Sequence, residues 1–249
     1  MSILTPNTAP RFSYLTGLKL ANDSTTPDEI VTIATGKCRD STDINDITVS
    51  SALSVDNTVS GVGGLDTGSV AASTFYAVHV IADSRGYKST AGLLSLSGTA
   101  PTLPVGYDMF RRLGWVLTDG TSDNLPFDQR GNGSDKTMVY RQSIATDVTN
   151  GSAAAYAAVD VSGSIPQASV MGLFKVTFTP TGANDELHLR SGDSTVAGDS
   201  QAVANGSAAG VVKIDMLQCP VGATLASGVD YKVTGSATAI NVQGYVDLL

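Results

Sequence analysis

The run Phe75-Tyr76-Ala77-Val78-His79-Val80-Ile81 decides the fold class. It is aromatic and β-branched, too short for an amphipathic helix, and closed by the turn residues Asp83-Ser84-Arg85-Gly86. Such a run reads as a core strand. Upstream lies a glycine cluster, Gly61, Gly63 and Gly64, that leads into Leu65-Asp66-Thr67-Gly68-Ser69. Downstream, Pro101-Thr102-Leu103-Pro104-Val105-Gly106-Tyr107 and Phe110-Arg111-Arg112-Leu113-Gly114-Trp115 bring the chain back to the sheet, and the second of these holds the single tryptophan.

The same rhythm extends both ways. Toward the N-terminus, Tyr14–Leu20, Ile30–Ala34, Ile47–Val49 and Leu53–Val55 are short apolar segments separated by turn clusters such as Asn22–Asp28. Toward the C-terminus, Ala153–Val161, Met171–Thr179, Leu187–Leu189, Val211–Leu217, Val229–Val233 and Ile240–Val246 repeat it. In Met171–Thr179 the alternation is explicit, with Phe174, Val176 and Phe178 on one face and Lys175 and Thr177 on the other. No window carries a sustained helical apolar period with caps. The chain is therefore expected to be all-β. Asp119–Asp135 breaks the pattern: it is rich in Asp, Asn, Gly and Ser, contains Pro126, and ends in Gly131-Asn132-Gly133-Ser134-Asp135. The expected organisation is two tandem β-sandwich-like domains behind an extended N-terminal arm. The arm spans residues 1–12 with Pro6 and Pro10, the first β domain 13–122, a linker 123–137 and the second domain 138–249.

Composition narrows the function classes. The 249 residues are 42% hydrophobic, enough for a buried core and against wholesale disorder. Only 15% are charged and 26 are glycine, which suits short strands and many turns and favours assembly with protein surfaces over catalysis. A net charge of −8 leaves no basic surplus for phosphate contacts, so nucleic acid is not an expected partner. No stretch approaches the ~18 apolar residues of a membrane-spanning helix, so membrane insertion is not expected either. Met1–Pro6 lacks the basic and apolar regions of a signal peptide, which points to a cytosolic setting. Cys38 and Cys219 are too few for a disulfide framework and read as thiols.

Motifs for chemistry are weak. Leu65-Asp66-Thr67-Gly68-Ser69 matches the aspartic-protease turn, but that chemistry needs two carboxylates sharing a proton. No second Asp-Thr-Gly or Asp-Ser-Gly follows, so only a homodimeric protease would fit, and Asp66 reads as a turn residue. His79 and His188 have no partner at i, i+4 metal-ligand spacing and read as rings packed in or beside a sheet. Asp40, Asp43 and Asp46, like Asp185, Glu186 and Asp193, do not follow a calcium-loop spacing and read as solvated turn carboxylates. A serine nucleophile needs a base, and no Gly-x-Ser-x-Gly elbow is present. Gly131–Thr137 lacks the glycine before Lys136 that a phosphate loop requires. Asn132, Asn150 and Asn205 each open an Asn-Gly-Ser sequon that reads as a turn. No catalytic, cofactor-binding or metal residue is therefore assigned.

The order of elements over residues 13–120 resembles a domain of tailed-bacteriophage virion proteins: tail fibres, tail appendages and head fibres. The resemblance rests on Tyr14-Leu15-Thr16-Gly17-Leu18 with Asn22-Asp23, Ile33–Thr42, Gly64–Ser69, Phe75–Val78, Pro101–Tyr107 and Phe110–Gly114. The second half is similar to the domain that commonly follows it, ending here in Ile240-Asn241-Val242-Gln243-Gly244-Tyr245-Val246-Asp247. The resemblance implies a non-enzymatic virion component, assembled in the bacterial host cytoplasm, without cofactors and homotrimeric. Its implied partners are other virion proteins of the tail or head–tail junction; residues 1–12, by their position and extended Pro-containing composition, are the candidate docking segment. No shaft repeat is present, which points to a short appendage or fibre anchor. The alternatives are a capsid-surface decoration protein or head fibre, and a module binding a polysaccharide or protein receptor on the host cell.

Overall fold

The computed structural model describes residues 14–249 except 132, 143, 145, 197 and 199, so the expected N-terminal arm lies outside the described residues. The first part of the chain forms β1 (Leu15–Gly17), β2 (Leu20–Asn22), β3 (Ile30–Ile33), β4 (Gly36–Arg39), β5 (Asp46–Val49), β6 (Leu53–Asp56), β7 (Phe75–Ala82), β8 (Ala91–Ser95) and β9 (Met109–Leu117). The second part begins with β10 (Phe127–Arg130), β11 (Asp135–Tyr140), β12 (Thr146–Gly151), β13 (Ala157–Val159) and β14 (Ser169–Thr179). It ends with β15 (Glu186–Ser191), β16 (Ala202–Asn205), β17 (Lys213–Pro220), β18 (Val229–Val233) and β19 (Ser236–Leu248). The described residues contain no α-helix, only one 3-10 turn at Leu225–Ser227. The chain is all-β, as its alternating apolar pattern requires.

Every ladder between these strands is antiparallel. The first part makes three small sheets, ordered β1-β4-β5, β2-β3-β6 and β8-β7-β9. The second makes a sheet ordered β10-β11-β19-β14-β17, with β12 also on β19, and a sheet ordered β13-β18-β15-β16. No ladder among the described residues joins β1–β9 to β10–β19.

β7 runs between β8 and β9 and is buried from Tyr76 through Ala82. That is why its sequence is continuously apolar: a central strand covered on both faces has no solvent side to fill with polar residues. Phe174, Val176 and Phe178 on β14 share the buried face while Lys175 is exposed, as their alternation predicts.

Several expectations change. Tyr14–Leu20 is two strands in two different sheets, because Gly17 (φ +69°) and Leu18 (φ +51°) take the left-handed region and turn the chain. The cost of placing Leu18 there is offset by its complete burial. Of Ala153–Val161 only Ala157–Val159 is a strand. The segment 123–137 is not bare linker: it holds β10 and the start of β11, a hairpin closed through Gly131 (φ +98°) and Gly133 (φ +100°). Its turn-rich composition serves the tip, while Phe127 and Gln129 on its flank are buried.

β19 has both edges occupied, by β14 on one side and by β11 and β12 in succession on the other. Leu173 pairs with Gly244 and Phe174 with Val242, so Gln243 is the extra residue of a bulge. One inserted residue reverses which face the following side chains occupy. Val242 is buried before the bulge, and Tyr245 and Asp247 are buried after it. A side chain at Gly244 would overlap the Met138 carbonyl oxygen, so only glycine allows β11 this close.

Candidate functional site

The bulge in β19 aims Tyr245 and Asp247 at the first part of the chain. The Tyr245 hydroxyl donates to the Trp115 carbonyl at 3.2 Å, and its ring lies edge-on to Phe75, centroids 6.5 Å apart. Arg112 on β9 donates from Nη1 to Asp247 Oδ2 and from Nη2 to the Leu248 carbonyl at 2.9 Å. Burial pushes the Asp247 carboxyl up to about 6, against the opposing pull of Arg112. Gln129 on β10 completes this seam. Its Oε1 accepts from Leu20 N–H at 2.8 Å, and its Nε2 donates to the Leu113 carbonyl at 2.9 Å. Leu113 and Gly114 form a bulge in β9, and a Cβ at Gly114 would lie 2.9 Å from Gln129 Nε2. These groups fasten the two parts together, and Arg112 also lines a cavity with Ser41, Gly98, Phe110 and Leu249.

The residues singled out by sequence fall mostly into structural roles. Asp66 Oδ2 accepts from Thr102 N–H at 2.9 Å and Oδ1 from the Thr67 hydroxyl at 3.3 Å. The aspartate thus pins its turn to the loop before Pro104. His79 is wholly buried on β7, with Nε2 3.0 Å from the Ser97 carbonyl and its ring edge-on to Phe110. Burial pushes it down to about 4, so it is neutral at physiological pH. Asp40 is not solvated but 3% exposed. It accepts from the Thr42 hydroxyl, from Ile44 and Asn45 N–H and from the Asn45 side chain. Asp46 pairs with Arg39 at 3.2 Å and Asp43 with Arg111 at 3.9 Å. Asp185 caps Thr181 and Gly182, and Asp193 accepts from Ala223 N–H at 2.7 Å.

Lys136 is buried, and its ammonium turns back onto the Gly17 and Gly131 carbonyls at 3.4 and 3.3 Å. Asn150 sits in β12 at φ +55°, within a stretch of irregular register, and Asn205 ends β16; Asn132 lies outside the described residues. No disulfide joins Cys38 and Cys219; both are buried, and burial pushes the Cys38 thiol up to about 12. Among the described residues no group of three or more His, Cys, Asp or Glu is placed to hold a metal ion.

Two surface features were not foreseen. The first is β17, the edge of its sheet, paired only with β14 among the described strands. Ile214 and Met216, each 59% exposed, project on one face, preceded by exposed Val211 and Val212. Lys213 and Asp215 alternate with them and pair at 3.8 Å. An edge strand with an exposed apolar row invites another protein surface.

The second is a polar cluster on the β13-β18-β15-β16 sheet. Glu186 and His188 are two apart on β15 and so share a face. Glu186 Oε2 lies 3.0 Å from His188 Nε2, and Ser200 Oγ lies 2.6 Å from His188 Nδ1. The Tyr156 hydroxyl donates to Ser200 Oγ at 3.2 Å. The Tyr156 ring carries the Arg190 guanidinium at 3.9 Å and the Lys232 ammonium at 4.9 Å, and Arg190 is bound to Asp230 at 2.8 Å. Burial, with the positive charge of Lys232, holds the His188 imidazole below its usual range despite Glu186. A search at helical i, i+4 spacing passes over this pair. The signal was the strand spacing of Glu186-Leu187-His188.

Family models, curated proteins and solved structures were compared with the chain, and none of them matches it.

Proposed function

We propose that the chain is a structural component of a tailed-bacteriophage virion, a short tail appendage or fibre anchor whose assembly role needs no catalysis. The observation that carries this reading is the exposed apolar row Val211, Val212, Ile214 and Met216 on the β17 edge. An all-β chain with such an edge is built to self-associate, and copies of itself, three in a homotrimer, are the occupants proposed here. The sequence resemblance over residues 13–120 supports the assignment to the virion. Its elements come together in the fold: β1 pairs with β4, Ser41 N–H donates to the Phe110 carbonyl at 2.7 Å, and Asp66 holds Thr102. In this reading the chain comprises two tandem β-sandwich-like units, 13–122 and 138–249, with residues 1–12 docking to the tail or head–tail junction. Attachment to the capsid surface, or recognition of a host receptor, are the rival placements.

Native mass measurement tests self-association. The intact protein is expected to run as a trimer, and the double variant Ile214→Lys with Met216→Lys as a folded monomer. A wild-type monomer at micromolar concentration would sink the proposal. Imaging labelled virions then separates tail from capsid, and binding to host cells tests the receptor reading.

A further inference from the structure

We propose that Ser200, His188 and Glu186 form a nucleophile–base–orienter relay that hydrolyses small-acyl esters by acyl transfer. This goes beyond the assembly role and does not depend on it. The three side chains are assembled by folding: β15 supplies Glu186 and His188, and Ser200 lies at the approach to β16, which pairs with β15 through Leu189 and Ala202.

The geometry assigns the roles. A carboxylate only accepts, so Glu186 Oε2 at 3.0 Å fixes the imidazole proton on Nε2. Nδ1 then carries the lone pair, and the Ser200 hydroxyl at 2.6 Å has it as acceptor. Both distances lie within the reach expected of a nucleophile and its base, with the base oriented by a third group. Relays of this kind recur on unrelated folds and are recognised by geometry and roles rather than by chain order. His188 being held neutral leaves it able to take a proton at physiological pH. The Tyr156 hydroxyl donates to Ser200 Oγ, and Lys232, paired with His188 across the β15–β18 ladder, lies over the Tyr156 ring.

The reaction balances without a cofactor. Ser200 Oγ forms a bond to the ester carbonyl carbon as its proton passes to His188 Nδ1, and the carbonyl π electron pair moves onto its oxygen. The tetrahedral species collapses, the C–O bond to the alcohol breaks, and His188 returns the proton to the departing alkoxide. Water repeats the sequence on the acyl-serine, releasing the carboxylic acid and restoring Ser200. The Glu186 side chain is 43% exposed and that of His188 13%, so the relay meets solvent mainly at its carboxylate end and its base is largely covered. The substrate class is therefore an unhindered ester of a short acid.

The intact protein should be treated with a fluorophosphonate probe and, separately, with p-nitrophenyl acetate. Peptide mapping is expected to place the phosphonyl adduct on Ser200. Ser200→Ala and His188→Gln should each reduce acetate-ester hydrolysis by about 10²–10⁴-fold. The rate should rise with pH as His188 loses its proton. Glu186→Gln, which removes the group that raises His188, should move that rise to lower pH and slow the reaction. Should Ser200→Ala fold poorly, Ser200→Cys provides a second arm: its thiol should alkylate faster with His188 than with Gln at 188. Absence of the adduct from Ser200 in folded protein, wild-type turnover by Ser200→Ala, or alkylation indifferent to His188 would each overturn the proposal. Native mass is untouched by these outcomes, so the relay and the assembly role fail separately.

Discussion

Gln129→Met is the sharpest test of how the two parts of the chain are joined. Gln129 is 1% exposed and satisfies one donor, Leu20 N–H, and one acceptor, the Leu113 carbonyl. Methionine keeps the length and bulk of the side chain but offers neither a strong acceptor nor a donor. Each buried group left without a partner costs about 1–3 kcal/mol, so the two together cost roughly 2–6 kcal/mol. A natural domain has only about 5–15 kcal/mol in total, so the loss should be plain. Urea unfolding followed by Trp115 fluorescence is the assay, because Trp115 sits on β9 two residues from Leu113 and reports on the same strand. With a slope of about 3 kcal/mol per molar urea, the midpoint should fall by roughly 0.7–2 M. Far-UV circular dichroism should give the same midpoint if the transition is two-state. Gln129→Glu adds a sign check. One oxygen still accepts from Leu20, but the other faces the Leu113 carbonyl, so this variant should be weakest at neutral pH and recover on acidification as the carboxyl becomes a donor. A Gln129→Met unfolding free energy within about 0.5 kcal/mol of wild type would refute the reasoning, since it would mean those groups find water or another partner.

Two further outcomes follow from the same seam. Asp247 holds its proton more tightly folded, up to about 6, than in the unfolded chain, where 3.8 is the ordinary value. The unfolded state therefore releases its proton first, and stability from this residue falls as pH rises from 3.8 through about 6, then stays level. Asp247→Asn, which still accepts from Arg112, should flatten that part of the urea-midpoint profile. Gly244→Ala places a methyl group against the Met138 carbonyl, and should cost roughly 1–3 kcal/mol by forcing β11 away from β19, read as a lowered thermal midpoint.

The fold class was legible because burial leaves a direct trace in the residue pattern. The continuous apolar run of β7 and the alternation of Phe174, Val176 and Phe178 both follow from which faces meet solvent. β10 was not legible for the opposite reason. Its inward residues include an amide, Gln129, whose burial depends on two backbone groups more than a dozen positions away in sequence. Composition around Gly131 and Gly133 describes the hairpin tip well and says nothing of its flanks. The broken strand at Gly17-Leu18 was hidden because a leucine with positive φ has no sequence signature; only the packing that buries it makes the strain tolerable.

The polar cluster was missed through the choice of period. Spacings of three and four bring residues together on a helix, and the familiar metal and catalytic strings are written in that period. In an all-β chain the short-range neighbours are two apart, and the remaining neighbours are set by ladder register, which no linear string encodes. Glu186 and His188 satisfy the first rule, and His188 meets Lys232 and the approach to β16 through the second. Register is in turn altered by bulges: the extra residue at Gln243 turns Tyr245 and Asp247 toward Trp115 and Arg112, where strict alternation would have turned them away. A search of such a chain for chemistry therefore has to pair side chains at i, i+2 first and across ladders second. That order brings Glu186, His188 and Ser200 together, whereas Asp66, for all its familiar motif, accepts from Thr102 N–H and the Thr67 hydroxyl within its turn.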